Sequence, residues 1–220
     1  MQSKLPNVGT TIFTVMSKMA QDYKAVNLSQ GFPDFDCPER LKELVAHYLY
    51  DRKNQYPPMI GIPALRDRIA DKVETYYGYS ANPETEVTVT SGATEALFDA
   101  IQATVGAGDE VIVFDPAYDS YEPAIQLSGG KAIHIPLRLP DYSIDWNQVK
   151  HAITDRTRLI IINTPHNPCG TILSKEDFDS LATVIRKHNI LVLSDEVYEH
   201  MVYDGLKHYS VLSHPELKSK

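Results

Sequence analysis

Short apolar runs rich in Val, Ile and Leu alternate along this chain with longer stretches of helical spacing. From Val87 onward VTVTSG, EVIVFDP, KAIHIPL, RLIIINTP and ILVLSDE read as five strands, and residues 93–105, 117–127, 146–153 and 175–188 read as the helices between them. Such alternation predicts an α/β fold, a doubly wound and mostly parallel sheet with helices covering both faces. Upstream, Pro38 and Glu39 open a helical pattern through about Arg52. Pro63 opens another through Tyr77, with Leu65, Ile69 and Val73 on one face. The connector between them, QYPPMIGIP, is turn-rich. Residues 1–38 hold many Pro, Gly and Asn and one short apolar face, Ile12, Val15, Met16 and Met19, so they read as an arm carrying one helix. Residues 39–220 read as one large domain without internal repeat or linker.

Composition narrows the function classes without naming one. Apolar residues make up 43% of the 220 and charged residues 23%, ordinary for a globular protein and unlike a disordered or collagenous chain. The net charge of −8 is spread without a basic block, which argues against nucleic acid or an anionic membrane as partner. Cys37 and Cys169 stand far apart with no CxxC or CxxH spacing, so neither a disulfide framework nor a metal site is expected. With no apolar run of membrane-spanning length and no signal-peptide block, the expected compartment is the cytoplasm.

The candidate chemistry lies where strands end, the place at which open α/β sheets build ligand sites. SGATEAL at residues 91–97 joins a strand to a helix, so the backbone N–H groups of Gly92, Ala93 and Thr94 are expected to offer a phosphate site; alone, the segment is also an ordinary helix cap. DPAYDSY at residues 115–121 puts Tyr118 just past a strand, at the beginning of a helix started by Pro116, where an aromatic ring can stack on a planar ligand. NTPHNPCG at residues 163–170 is a rigid turn carrying Asn163 and Asn167, whose amides can donate to a phenolate-like oxygen or a carboxylate. His166 and Cys169 read as turn occupants. In SDEVYEH, Asp195 follows an apolar run, and a buried carboxylate needs a cationic partner. A metal, a nucleotide ribose contact or a protonated pyridine nitrogen each answers that need. Tyr198, three residues on, shares the strand end.

In this order and spacing, SGATEAL, DPAYDSY, NTPHNPCG and SDEVYEH resemble class I/II aminotransferases of the fold type I pyridoxal-phosphate family. KLPNVGTTIFTVMS and LSQGFPDF near the start resemble its methionine and kynurenine aminotransferase branch. The resemblance implies pyridoxal 5'-phosphate as cofactor, with Gly92, Ala93 and Thr94 at its phosphate, Tyr118 stacked on its ring and Asp195 paired with its ring nitrogen. Asn167 and Tyr198 would bond its phenolic oxygen, and Asn163 would support that turn. Asn167 and Gly31 would lie at the substrate, and Phe32 with Tyr56 and Tyr118 would favour large apolar side chains. Tyr56 would reach the phosphate of a neighbouring subunit, which implies a homodimer with shared sites. Residues 1–38 would belong to a smaller domain. The implied reaction is transamination between an amino acid, methionine or aromatic, and a 2-oxo acid, with Asp195 and Tyr198 among the catalytic groups. A cysteine-conjugate β-lyase and a non-catalytic cofactor-binding module are the rival readings. The family's Schiff-base lysine is expected beyond Lys220, with Lys207 and Lys220 both exposed, so the 220 residues alone are expected to be inactive.

Overall fold

The computed structural model describes residues 3–6, 8–31 and 33–220; Phe32 lies outside them. The chain divides into two compact units, Pro6–Ile62 and one containing Pro63–Lys220. The division falls in the QYPPMIGIP connector, after the second helix, whereas composition changes near residue 38.

The Pro6–Ile62 unit contains α1 (Ile12–Asp22) and α2 (Glu39–Tyr50). The Thr11 side chain caps α1 by accepting from Thr14 N–H. Apolar positions on these helices remain exposed, among them Ile12, Val15, Leu41, Val45 and Leu49.

The larger unit is the expected parallel sheet. It runs α3 (Pro63–Tyr77), α4 (Ala93–Thr104), β1 (Glu110–Asp115), α5 (Tyr121–Leu127), β2 (Lys131–Pro136), α6 (Trp146–Ala152), β3 (Thr157–Asn163), α7 (Lys175–Ile185), β4 (Leu191–Asp195), then a short 3-10 turn, Val211–Ser213. Sheet order is β2-β1-β3-β4, every pair parallel.

Strand periodicity sorts the core into two layers. Val111, Val113, Leu159 and Ile161 pack against Leu97 and Ile101 of α4 and Tyr121 and Ile125 of α5. Their neighbours Ile112, Phe114, Ile160 and Ile162 face Val149 of α6 and Phe178, Leu181 and Ile185 of α7. Burial on both faces is why these strands read as continuous apolar runs. Each fully buried Ile, Leu or Phe contributes about 1.5–3 kcal/mol. Ser174 and Asp177 close a reciprocal capping box that fixes where α7 begins.

The order also reverses at β1: the chain goes to β2 on one side of it and returns to β3 on the other. That is a topological switch point: β1 leads to α5 in one core layer and β3 to α7 in the other, and the crevice between two such departing loops is where open α/β sheets take a ligand.

Three sequence expectations are corrected. Residues 87–90 form no strand among the described residues, because a strand exists only through ladder bonds and this segment, although Val87 is buried, pairs with no neighbour. The fifth helix begins at Tyr121, so Pro116 starts no helix and Tyr118 sits in the loop ahead of it. Lys207 is exposed as expected, but Lys220 is partly buried: its backbone carbonyl accepts from Val192 N–H at 3.2 Å and its Nζ donates to the His188 carbonyl at 3.3 Å.

Candidate active site at the carboxyl ends of the strands

Three strand ends and one helix start converge on a cavity of about 180 Å³. Its lining is Ala93, Thr94 and Leu97 from α4, Tyr118 from the loop after β1, Asn163 and Asn167 after β3, and Asp195, Val197 and Tyr198 after β4.

One wall is a helix N-terminus without a cap. Gly92 precedes α4 with φ 87°, a left-handed conformation that disfavours any side chain, and among the described residues no side chain caps the helix. Gly92 N–H is consumed locally by the Thr90 carbonyl at 2.9 Å, so the amides left open among the described residues are those of Ala93 and Thr94. Unpaired N–H groups and the positive end of the helix dipole suit an anion.

The opposite chemistry lies at Asp195, which is only 8% exposed. Its Oδ2 accepts from the Tyr121 hydroxyl at 2.7 Å and its Oδ1 from Val197 N–H at 3.3 Å. Among the described residues no Lys, Arg or His forms an ion pair with it. A buried carboxylate held only by neutral donors and lining a cavity suits a cationic ligand.

Asn163 ties two of these strand ends together. Its Nδ2 donates to the Asp195 carbonyl at 2.9 Å, while its Oδ1 accepts from Asn167 N–H at 2.7 Å. Thr164 N–H adds a second bond to the same Asp195 carbonyl at 3.0 Å. The apolar run LIII carries Asn163 into the sheet, and the turn after it is closed by His166 N–H on the Thr171 carbonyl and Gly170 N–H on the His166 carbonyl, both at 2.8 Å. His166 is buried in this turn, and burial lowers its pKa.

The segment after β4 is anchored from behind. Glu196 accepts from Ser194 Oγ at 2.6 Å, Val211 N–H at 3.0 Å and His208 Nε2 at 2.7 Å. Glu199 pairs with Lys72 and accepts from the Tyr77 hydroxyl, both from α3. Burial pushes the Glu199 carboxyl up, yet those two bonds outweigh it and hold it below the usual carboxylate range. Tyr198, 37% exposed, is thus presented at the rim.

Ala93, Thr94, Tyr118, Asn163, Asn167, Asp195 and Tyr198 therefore meet around one cavity, with Gly92 at the helix start behind them. Tyr56 and Gly31 belong to the other unit, where both are exposed and Tyr56 is fully so. Tyr121 was not singled out by sequence. The only signal is that it follows Tyr118 by three residues in DPAYDSY.

The donor set fits pyridoxal 5'-phosphate: open amides for a phosphate, an aromatic ring for stacking, amide and phenol donors for an oxygen, and a carboxylate lacking a cation. Residues 23–220 match the sequence family described as aminotransferase class I and II. The chain is 53% identical, over all its length, to the methionine aminotransferase of Escherichia coli K12 and covers 57% of that protein. It is 41% identical over 94% of its length to a probable N-succinyldiaminopimelate aminotransferase of Mycobacterium tuberculosis, of which it covers 52%. Mouse kynurenine–oxoglutarate transaminase 1 is 34% identical over 96% of the chain, which covers 53% of it. The crystal structure of the Escherichia coli protein superposes with a TM-score of 0.95 over 99% of this chain and 57% of that one. The Mycobacterium tuberculosis structure, 38% identical, gives 0.94 over the same shares. The chain thus spans somewhat more than half the length of the relatives it matches. It belongs to the class I and II aminotransferases, pyridoxal-phosphate proteins of fold type I.

Proposed function

We propose that the full protein is a pyridoxal-phosphate-dependent aminotransferase that moves the amino group of methionine or an aromatic amino acid to a 2-oxo acid. The observation that carries this reading is the two-ended cavity: open α4 amides on one side, and on the other a buried carboxylate with no cationic side chain paired to it among the described residues. A ligand with a phosphate and a protonated ring nitrogen satisfies both ends. The substrate preference is supported by 53% identity to a methionine aminotransferase and by the kynurenine transaminase match.

When bound, pyridoxal phosphate supplies an electron-withdrawing ring that stabilises the charge left when an amino acid loses its α-proton. The protein's part is orientation and electrostatics. Ala93 and Thr94 bind the phosphate at the helix start, helped by the close approach that Gly92 permits. Tyr118 stacks on the ring. Asn167 and Tyr198 donate to the phenolic oxygen, with Asn163 holding Asn167 in place and Asn167 also touching the substrate. Asp195 keeps the ring nitrogen protonated. No lysine lines the cavity among the described residues. Gly31 near the substrate carboxylate, Tyr56 reaching a neighbouring subunit of a homodimer, and residence in the cytoplasm complete the proposal. Among the described residues no helix is long and apolar enough to cross a membrane.

The test is to supply the full protein with pyridoxal phosphate, methionine or an aromatic amino acid, and a panel of 2-oxo acids. Formation of the donor's 2-oxo acid should require an acceptor. Failure to bind the cofactor would refute the reading, and pyruvate with ammonia from a cysteine conjugate without any acceptor would assign a β-lyase instead.

A further inference from the structure

Tyr121 opens α5 with only 4% of its surface exposed, and its ring packs in the core beside Val113 and Ile125. A phenylalanine would fill that space equally well. The hydroxyl has a single partner among the described residues, Asp195 Oδ2 at 2.7 Å. The ring of Tyr118, which lines the cavity, stands edge-on to Tyr121 with centroids 5.7 Å apart. One side chain therefore touches both the aromatic wall of the cavity and its buried carboxylate.

We propose that Tyr121 is a positioning residue for the cofactor, its hydroxyl fixing the Asp195 carboxylate in the orientation that receives the ring nitrogen. This rests on the reading of Asp195 as the partner of a protonated ring. Two features support it. Among the described residues the carboxylate's other oxygen has only a long bond to Val197 N–H, at 3.3 Å, so without Tyr121 little would define its rotamer. Burial first, and then Asp195 itself, raise the phenol's pKa above its ordinary value, so it stays a donor throughout the working pH range. A neutral donor also leaves the carboxylate's charge available to the ligand, which a lysine or arginine at the same place would neutralise.

The proposal separates from a packing role by a double-mutant cycle in the full protein. Affinity of the apoprotein for pyridoxal phosphate is measured by equilibrium dialysis for wild type, Tyr121→Phe, Asp195→Ala and the double variant, with the thermal midpoint of each apoprotein. Tyr121→Phe should weaken binding about tenfold when Asp195 is present, the effect expected from losing one hydrogen bond to a charged group. It should change binding less than about twofold in the Asp195→Ala background. Equal losses in both backgrounds would make Tyr121 a packing residue and overturn the proposal, as would unchanged affinity in the single variant. Folding of the double variant but not of Tyr121→Phe would also overturn it, since the hydroxyl would then serve only to offset burial of the carboxylate. A wild-type protein that does not bind the cofactor would instead refute the functional reading beneath it.

Discussion

Replacing Asn163 by Ala should loosen the turn after β3 without touching the sheet's core. The side chain is 7% exposed and makes two bonds of opposite polarity, Nδ2 to the Asp195 carbonyl at 2.9 Å and Oδ1 from Asn167 N–H at 2.7 Å. The Asp195 carbonyl keeps Thr164 N–H as a donor, so its loss is partial, whereas Asn167 N–H loses its acceptor outright. Taking about 0.5 kcal/mol for the partial loss and about 1.5 kcal/mol for the orphaned amide, the turn loses ~2 kcal/mol of local stability, or roughly 30-fold in its opening equilibrium. Amide hydrogen exchange of the peptide spanning residues 163–173 reads this directly, because Pro165 and Pro168 carry no exchangeable amide and the signal comes from the remaining positions. The expected outcome is exchange about 30-fold faster in that peptide, with the β1 and α7 peptides unchanged and weaker cofactor binding through the displaced Asn167. Unchanged exchange at residues 163–173 would show that Asn163 does not clamp the strand ends.

Two further outcomes follow from the same geometry. Gly92→Ala should weaken pyridoxal-phosphate affinity about tenfold: the added Cβ meets nothing within 4 Å, but φ 87° with ψ 168° is open essentially only to glycine and costs an L-residue about 1–3 kcal/mol, and relief of that strain turns the Ala93 and Thr94 amides away. Affinity equal to wild type in a dialysis measurement would contradict the assignment of that wall. Stability should fall as pH drops through about 6.5, because the folded protein holds His166 neutral while the unfolded chain takes up a proton there. His166→Gln should flatten that part of the thermal-midpoint profile between about pH 7 and 5, and an unaltered slope would assign the loss to other groups.

Much of this was legible in the amino-acid order because the strands are buried on both faces. Runs such as VIVF and LIII admit few readings other than central parallel strands, and polar residues directly after them, Asn163 and Asp195, are then placed at strand ends by chain geometry alone. The sequence misled where structure depends on a distant partner. VTVT has strand character, but ladder bonds come from a neighbour, and residues 87–90 have none among the described residues. Tyr121 was invisible for a related reason: its ring obeys the helix's apolar pattern, and only the fold brings residue 195 within reach of its hydroxyl. Lys220 is expected exposed because no strand pattern surrounds it, and nothing local shows its carbonyl meeting Val192. Pro116 pointed to an early helix start, yet five residues of loop precede Tyr121, which is what leaves Tyr118 free to line the cavity.

If the proposed function holds, one cavity grips a phosphate at the α4 start and a protonated ring at Asp195. A crystal structure of the full protein with pyridoxal phosphate tests both ends at once. The phosphate should lie within hydrogen-bond distance of the Ala93 and Thr94 amides and the ring nitrogen within reach of Asp195, with Tyr121 still on the carboxylate's other oxygen. A phosphate seated elsewhere, or an Asp195 that faces no cation, would contradict it.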